Sequence, residues 1–340
     1  MPRPTAQPIR RPGGRTSAIL ASLTVSALLA LPPARVAHAG DAYPNKPVKL
    51  VVPTGPGGNL DLAARIFGQK FTDLFGQPFV IENVAGASSL LATRQVARSA
   101  PDGYTMMAIA NTFVMAPSFV LNPGYDPAKD FVLLGMMNQV PLLMVSAGNA
   151  PQKSLAEFVA AAKSANPPLS FASGGNGSTT HLGALVFFQA AGLKLLHVPY
   201  KGNPPAFPDV QSGRVNVLFD PISTSTGFVR DGRFKTFGLT SAKRSPLLPN
   251  VPTVAEQGYP GFEFSIYTAL VAPTGLPAEV LARLRGGIAR FANDGELRER
   301  FAKDGSELIG PMNDAQLNEF LQREVTRYLT VTRAAGVKPE

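Results

Sequence analysis

Hydrophobic positions along the chain fall into two alternating kinds of run. Short apolar runs of strand length stand at 48–52, 79–81, 104–110, 142–145, 169–172, 195–198, 215–219 and 234–239. Between them lie stretches with helical period. In 60–75 the residues Leu60, Ala63, Phe67, Phe71 and Leu74 share one face. A second helix is expected over 90–98, a third from its N-cap Ser154 to about Lys163, and others from near Thr179, Pro204 and Ile222. Pro101-Asp102-Gly103 makes a turn. After a longer apolar run at 264–272 the pattern is wholly helical, over 277–291, 296–303 and 314–335. Strands alternating with helices predict parallel sheets covered by helices, an α/β chain.

Length and composition sharpen this picture. The 340 residues suffice for about two domains at ~150 residues each. With 45% hydrophobic and 16% charged residues, the chain can bury a core and does not read as disordered. Glycine and proline number 32 each, spread along the chain, so many short elements joined by turns are expected. No flexible Gly/Ser linker separates the halves, so short crossings should join them. The absence of cysteine excludes disulfides, thiolate zinc sites, iron–sulfur clusters and cysteine nucleophiles.

The net charge of +9 would suggest a nucleic-acid partner, but its placement argues otherwise. Residues 1–39 hold Arg3, Arg10, Arg11, Arg15 and Arg35 and no acid. An apolar run from 18 to 31 follows, shorter than the ~20 residues that span a bilayer. Ala37-His38-Ala39 then offers a small-residue cleavage site. That order is the pattern of a secretory signal peptide ending at Ala39. Pro12-Gly13-Gly14 after the paired arginines favours ordinary secretion over the twin-arginine route. More than half of the excess charge leaves with this segment, and no basic stripe for nucleic acid remains. The expected product is a soluble protein outside the cytoplasmic membrane, with no cysteine to carry a lipid anchor and nothing that requires more than a monomer.

Two glycine-rich stretches carry the chemistry. Pro53-Thr54-Gly55-Pro56-Gly57-Gly58-Asn59 and Ser173-Gly174-Gly175-Asn176-Gly177-Ser178 each join a strand to a helix. Neither fits the phosphate-binding P-loop or the dinucleotide G-x-G-x-x-G register, so no nucleotide cofactor is expected. A helix N-terminus presents unpaired N–H groups and about half a positive charge, and glycine lets the backbone approach a ligand closely. Such loops are either tight βα turns or cradles for an anion. If the two halves face each other, both helix ends point into one cleft suited to a molecule with one or two carboxylates. Asp61 in the first helical turn is a partner of the helix dipole, or it orients the loop or accepts from a ligand amine. Ser178 is either a simple N-cap or a cleft residue, and Thr179 and His181, just inside the helix, are in reach of the cleft, with a structural hydrogen bond the alternative role for His181. Asn111 and Thr112 follow one strand end and Asp220 closes another, where open α/β sheets bind ligands. Ordinary capping is the alternative for Asn111 and Thr112.

Enzyme readings find little support. His181 and His197 are the two histidines after residue 39, no paired-histidine motif occurs, and no metal site is expected. A Ser178–His181–Asp220 triad can be drawn, but Ser178 lacks the G-x-S-x-G elbow.

Taken in order, several short motifs resemble the extracytoplasmic solute receptors of tripartite tricarboxylate transporters, the Bug family. They are Tyr43-Pro44-Asn45-Lys46-Pro47, Pro56-Gly57-Gly58 with Asp61, Glu82-Asn83 with Gly86, and Ala100-Pro101-Asp102-Gly103-Tyr104. Tyr125-Asp126-Pro127, Lys129-Asp130-Phe131, Ser173, Asn176-Gly177-Ser178-Thr179 and His181 follow. Val198-Pro199-Tyr200-Lys201-Gly202, Thr240-Ser241-Ala242-Lys243-Arg244-Ser245 and Val251-Pro252-Thr253-Val254 complete the series. The resemblance implies a two-domain periplasmic binding protein fold of type II-like form, with two α/β lobes joined by crossing hinge strands. Lobe 1 would comprise 40–141 plus 265–340, and lobe 2 would comprise 142–264. It implies a cleft lined by Thr54, Gly57, Gly58, Asn59 and Asp61 from one loop and Ser173, Asn176, Gly177, Ser178, Thr179 and His181 from the other. Asn111, Thr112, Asp220 and Tyr200 would contribute, with Lys201 nearby and Tyr200 alternatively a packing residue.

The implied function is non-enzymatic: capture of a small organic carboxylate in the periplasm and delivery to subunits of a membrane transporter. A partner of a membrane sensor is the alternative, and a secreted hydrolase a third. Three places depart from the family pattern and bear on ligand choice. Thr54 stands where an aromatic is common, Leu60 replaces a small polar residue, and Ala87-Ser88-Ser89-Leu90 replaces a glycine-rich stretch.

Overall fold

The computed structural model describes residues 43–86 and 89–337. The expected leader at 1–39 and Ala87-Ser88 lie outside the described residues. The first half begins with three parallel strands, β1 (Val48–Val52), β2 (Phe79–Asn83) and β3 (Thr105–Ala110). They alternate with α1 (Asn59–Phe75), α2 (Leu90–Ala97) and α3 (Thr112–Phe119). The amphipathic pattern of α1 does what it predicts. Leu60, Ala63, Ala64, Phe67 and Phe71 are buried, and Phe71 stacks on Phe79 at 4.8 Å and meets Phe291 edge-on at 5.0 Å. Gly76, in the left-handed conformation at φ 71°, ends the helix.

The chain then enters β4 (Phe131–Ala147), a 17-residue strand. Apolar patterning marks only 142–145 of it. The first part is buried on both faces, so it shows no alternation, and Gly135 and Pro141 read as breakers. Helix α4 (Leu155–Ser164) begins at Ser154, whose side chain accepts from Glu157 N as expected of an N-cap. The second half continues with β5 (Ser170–Ser173), α5 (Thr179–Ala191), β6 (Leu196–Pro199), α6 (Phe207–Gln211), β7 (Val217–Pro221), α7 (Ile222–Arg230) and β8 (Phe234–Leu239). The chain returns through β9 (Ser265–Pro273) to α8 (Ala278–Ala292), α9 (Gly295–Ala302), β10 (Glu307–Leu308) and α10 (Asp314–Ala334).

Pairing runs β2-β1-β3-β9-β4-β7-β5-β6, with β8 and β10 also on β4. Strand β4 belongs to both halves: β9 pairs with it up to Pro141, and β7 pairs with it from Leu142. The directions decide where the glycine loops go. Strand β9 is antiparallel to both β3 and β4, so β1 and β3 run the same way as β4. Strand β7 is antiparallel to β4 and parallel to β5, so β5 runs the opposite way. The C-terminal ends of β1 and β5 therefore both point toward the level of β4 near residues 138–143. Both loops emerge there, one on each side of the change of partner. Helix α10 packs on α3 in one half and on α5 in the other. Among the described residues no helix is long and apolar enough to cross a membrane.

Candidate functional site

The first loop is held from behind by Asp61. Its carboxylate accepts from Gly57 N–H at 2.9 Å, Arg65 Nε at 2.9 Å and Asn83 Nδ2 at 2.8 Å, while the same Asn83 amide reaches Thr54 O at 2.9 Å. Asp61 is 1% exposed. Burial alone would raise its pKa, but the bonds from Arg65, Asn83 and Gly57 outweigh it and hold the carboxyl at about 2. Asp61 is thus a permanent anion that ties the loop to the start of α1. Among the described residues no side chain caps this helix: Gly58 occupies the N-cap. Gly57 needs φ +91°, and a Cβ on either Gly57 or Gly58 would meet nothing within 4 Å, so these glycines border open space. Asn59 accepts at Oδ1 from Asn138 Nδ2 at 3.2 Å. The Thr54 hydroxyl is buried without a partner among the described residues.

The second loop is tied largely to itself. Gly174 N–H donates to Thr180 Oγ1 at 3.0 Å and Gly175 N–H to Ser173 Oγ at 3.1 Å. Ser178 is the N-cap, accepting from His181 N–H at 3.1 Å, and Gly177 N–H donates to His181 Nδ1 at 3.3 Å. The His181 ring stacks on that of His197 with centroids 3.9 Å apart, and His197 stacks on Phe171 at 4.7 Å. Burial, with a smaller contribution from His197, pushes His181 down to about 3, and burial lowers His197 too. The bond from Gly177 to Nδ1 likewise requires His181 to be neutral. Ser173 Oγ lies 2.7 Å from His197 Nε2.

The structure gives other work to several residues expected at the site. Asn111 is fully buried, and its amide donates to Ser265 O at 3.2 Å and Tyr328 OH at 2.8 Å while accepting from Tyr267 N at 3.1 Å. It joins β3, β9 and α10 and has no donor left for a ligand. Thr112 opens α3, a helix the patterning does not reveal because Pro117 interrupts it and nearly all its faces are apolar. Asp220 is also fully buried, receiving bonds from Asn203 at 2.6 Å, from Ser225 at 2.6 Å and from Thr224. Burial raises its pKa against those bonds. The Tyr200 hydroxyl donates to Asp209 at 2.5 Å, which ties it to α6. No Ser178–His181–Asp220 triad forms: the Ser178 hydroxyl caps the helix, His181 Nδ1 faces Gly177, and Asp220 is held elsewhere.

Sequence reasoning missed four neighbours. Asn138 on β4 bridges Asn59 and the Thr268 hydroxyl on β9, so the first loop is linked to both crossing strands. Asn203 connects Thr180 of α5 to Asp220. His197 backs His181. Phe119, at the end of α3, lies against Gly177: a Cβ there would stand 3.4 Å from its ring. A lone polar or aromatic residue inside an apolar run carries no signal of such a role.

Comparison with known proteins agrees with the family resemblance. The model of the "Tripartite tricarboxylate transporter family receptor" family matches residues 63–337. The chain is similar to the protein BugT of Bordetella pertussis, 32% identical over 300 residues that cover 88% of this chain and 92% of that protein. Among solved structures it is similar to the periplasmic binding protein BugD, at 33% identity and TM-score 0.71, covering 88% of this chain and all of that one (100%). It is similar also to an R. palustris protein solved with adipate, at 31% identity and TM-score 0.73, covering 88% and 100% of the two chains. The fold is thus the two-lobe periplasmic binding protein fold, and the protein is a solute-binding protein rather than an enzyme. The chain belongs to the receptor family of the tripartite tricarboxylate transporters.

Proposed function

We propose that this receptor captures a small organic carboxylate between two lobes, residues 40–141 with 265–340 and residues 142–264, and delivers it to a membrane transporter of the tripartite tricarboxylate type. Its leader at 1–39 would direct it to the periplasm. The observation that carries this reading is the opposition of two glycine-rich loops. Each stands at the C-terminal end of a strand and the N-terminal end of a helix, and the first borders open space with an uncapped helix behind it. Backbone N–H groups at such an end bind an anion without a basic side chain. Thr54, Gly57, Gly58 and Asn59 would line one side, with Asp61 holding the loop. Ser173, Asn176, Gly177, Ser178, Thr179 and His181 would line or support the other. The crossing strands β4 and β9 would serve as the hinge on which a bridging ligand closes the lobes. Adipate on a relative supports the chemical class.

The test is a thermal-melting panel of mono-, di- and tricarboxylates, amino acids and aromatic acids. A ligand at 100 times its Kd adds about 2.7 kcal/mol of stability. Gly58→Val supplies the control: its φ of −78° and open surroundings accept valine, so the fold should keep its melting temperature. The added bulk should remove the ligand-induced shift. A wild-type protein unshifted by every carboxylate, after unfolding and refolding to strip any bound ligand, would refute the reading.

A further inference from the structure

The two opposed loops are not equivalent. At α1 the N–H groups of Gly58, Asn59, Leu60 and Asp61 have no acceptor among the described residues, and no side-chain oxygen caps the helix. In the second loop five N–H groups, those of Gly174, Gly175, Gly177, Ser178 and His181, are already bonded within the loop. The second loop is also partly covered, at Gly177. The half-buried Phe119, supplied by the opposite half of the molecule, lies 3.4 Å from the position a Gly177 Cβ would take, and its ring centre is 6.1 Å from that of His181. Behind it the stacked rings of His181, His197 and Phe171 form an uncharged wall. Lys201, on the adjoining segment, is exposed and makes no ion pair among the described residues. The rings themselves offer a carboxylate no cation, so one pressed against them would lose water at a cost. An apolar group there would gain contact with an aromatic face.

We propose that Phe119 determines specificity. The ligand's one carboxylate sits on the open end of α1 and its hydrocarbon end packs against Phe119, so this receptor prefers monocarboxylates with an apolar body over dicarboxylates. This rests on the carboxylate-receptor reading above.

The test compares ligands that differ only in the second carboxylate, hexanoate against adipate and benzoate against terephthalate, by calorimetric titration of the purified protein. The monocarboxylate of at least one pair should bind about tenfold or more tighter than its partner. Phe119→Ala should weaken that monocarboxylate about tenfold while leaving the dicarboxylate within about twofold. Phe119→Arg should shift the preference toward the dicarboxylate, which a purely structural role of the ring would not produce. Melting of the ligand-free variants checks their fold, and Phe119→Leu, which keeps an apolar surface, should retain most of the affinity should the other two fail to fold. Dicarboxylates binding as tightly as monocarboxylates in both pairs, or monocarboxylate affinity unchanged in folded Phe119→Ala or Phe119→Arg, would overturn the proposal and leave the receptor reading intact. Binding by none of the four overturns it as well, and the receptor reading then falls only if the wider carboxylate panel is also silent.

Discussion

Asp61→Asn separates the electrostatic role of this residue from its shape. The wild-type carboxylate accepts three hydrogen bonds, and its pKa falls from 3.8 to about 2 on folding. A shift of that size corresponds to roughly 2 kcal/mol of stability at neutral pH. The half-exposed Arg65 partner is screened by solvent, which trims the figure toward about 1 kcal/mol. Asparagine has one acceptor oxygen and one NH2 group, so at least one of Gly57, Arg65 and Asn83 would face a donor, at about 1 kcal/mol or more. The variant should therefore lose about 2–3 kcal/mol at pH 7 in urea unfolding. The sign with pH follows from the lowered pKa. The wild-type contribution is complete above the unfolded value and is lost as pH falls from about 4 toward 2, while the variant has nothing to titrate. Between pH 5 and pH 3 the gap should narrow by up to about 1 kcal/mol. Carboxylate affinity should fall too, because Gly57 is released. A gap that stays constant over that pH range would refute the reasoning that a permanent anion holds the loop.

Asp220→Asn should behave in the opposite way. Burial disfavours its charged form, so its charge costs stability as pH rises through the ordinary carboxylate range. Asparagine keeps the acceptor for Asn203 and can donate to the Thr224 or Ser225 hydroxyl. Urea unfolding at pH 7 should find the variant within about 1 kcal/mol of wild type or more stable, and a loss above about 2 kcal/mol would be contrary to this account. Gly183→Ala should cost about 1–3 kcal/mol, because the new Cβ would stand 2.6 Å from Leu142 Cδ1 and 2.9 Å from the Phe264 ring at the change of strand partner. Since α5 carries the second loop, melting should show the destabilisation together with a weaker ligand-induced shift.

Much of the framework of the candidate site was legible because its parts are local. A strand, a run of glycines and an amphipathic helix occupy consecutive residues, so β1 with α1 and β5 with α5 could be read directly, as could the caps Ser154 and Ser178. Asp61 was recognised at the helix start, but its two readings could not be separated until Asn83 and Arg65 were seen around it. Gly177 illustrates the limit from the other side. As one of two loop glycines it looks interchangeable with Gly58, yet it has φ +68° and Phe119 against it. A side chain there would strain the backbone as well as block a ligand, whereas Gly58 isolates the second effect.

By itself the sequence determined the alternation of strands and helices, the export-like N-terminus, the family resemblance and the two glycine loops. These depend on periodicity, local backbone freedom and charge order, all carried by residues close along the chain. Only the tertiary structure decided that β4 runs through both halves, that β1 and β5 aim their loops at the same level of it, and that Asn111 and Asp220 are spent on internal bonds. It also decided that Phe119 faces Gly177. Each of these depends on contacts between residues tens to hundreds of positions apart. Such contacts are set by which surfaces can be buried together and which polar groups must then find partners, and no local pattern records that choice.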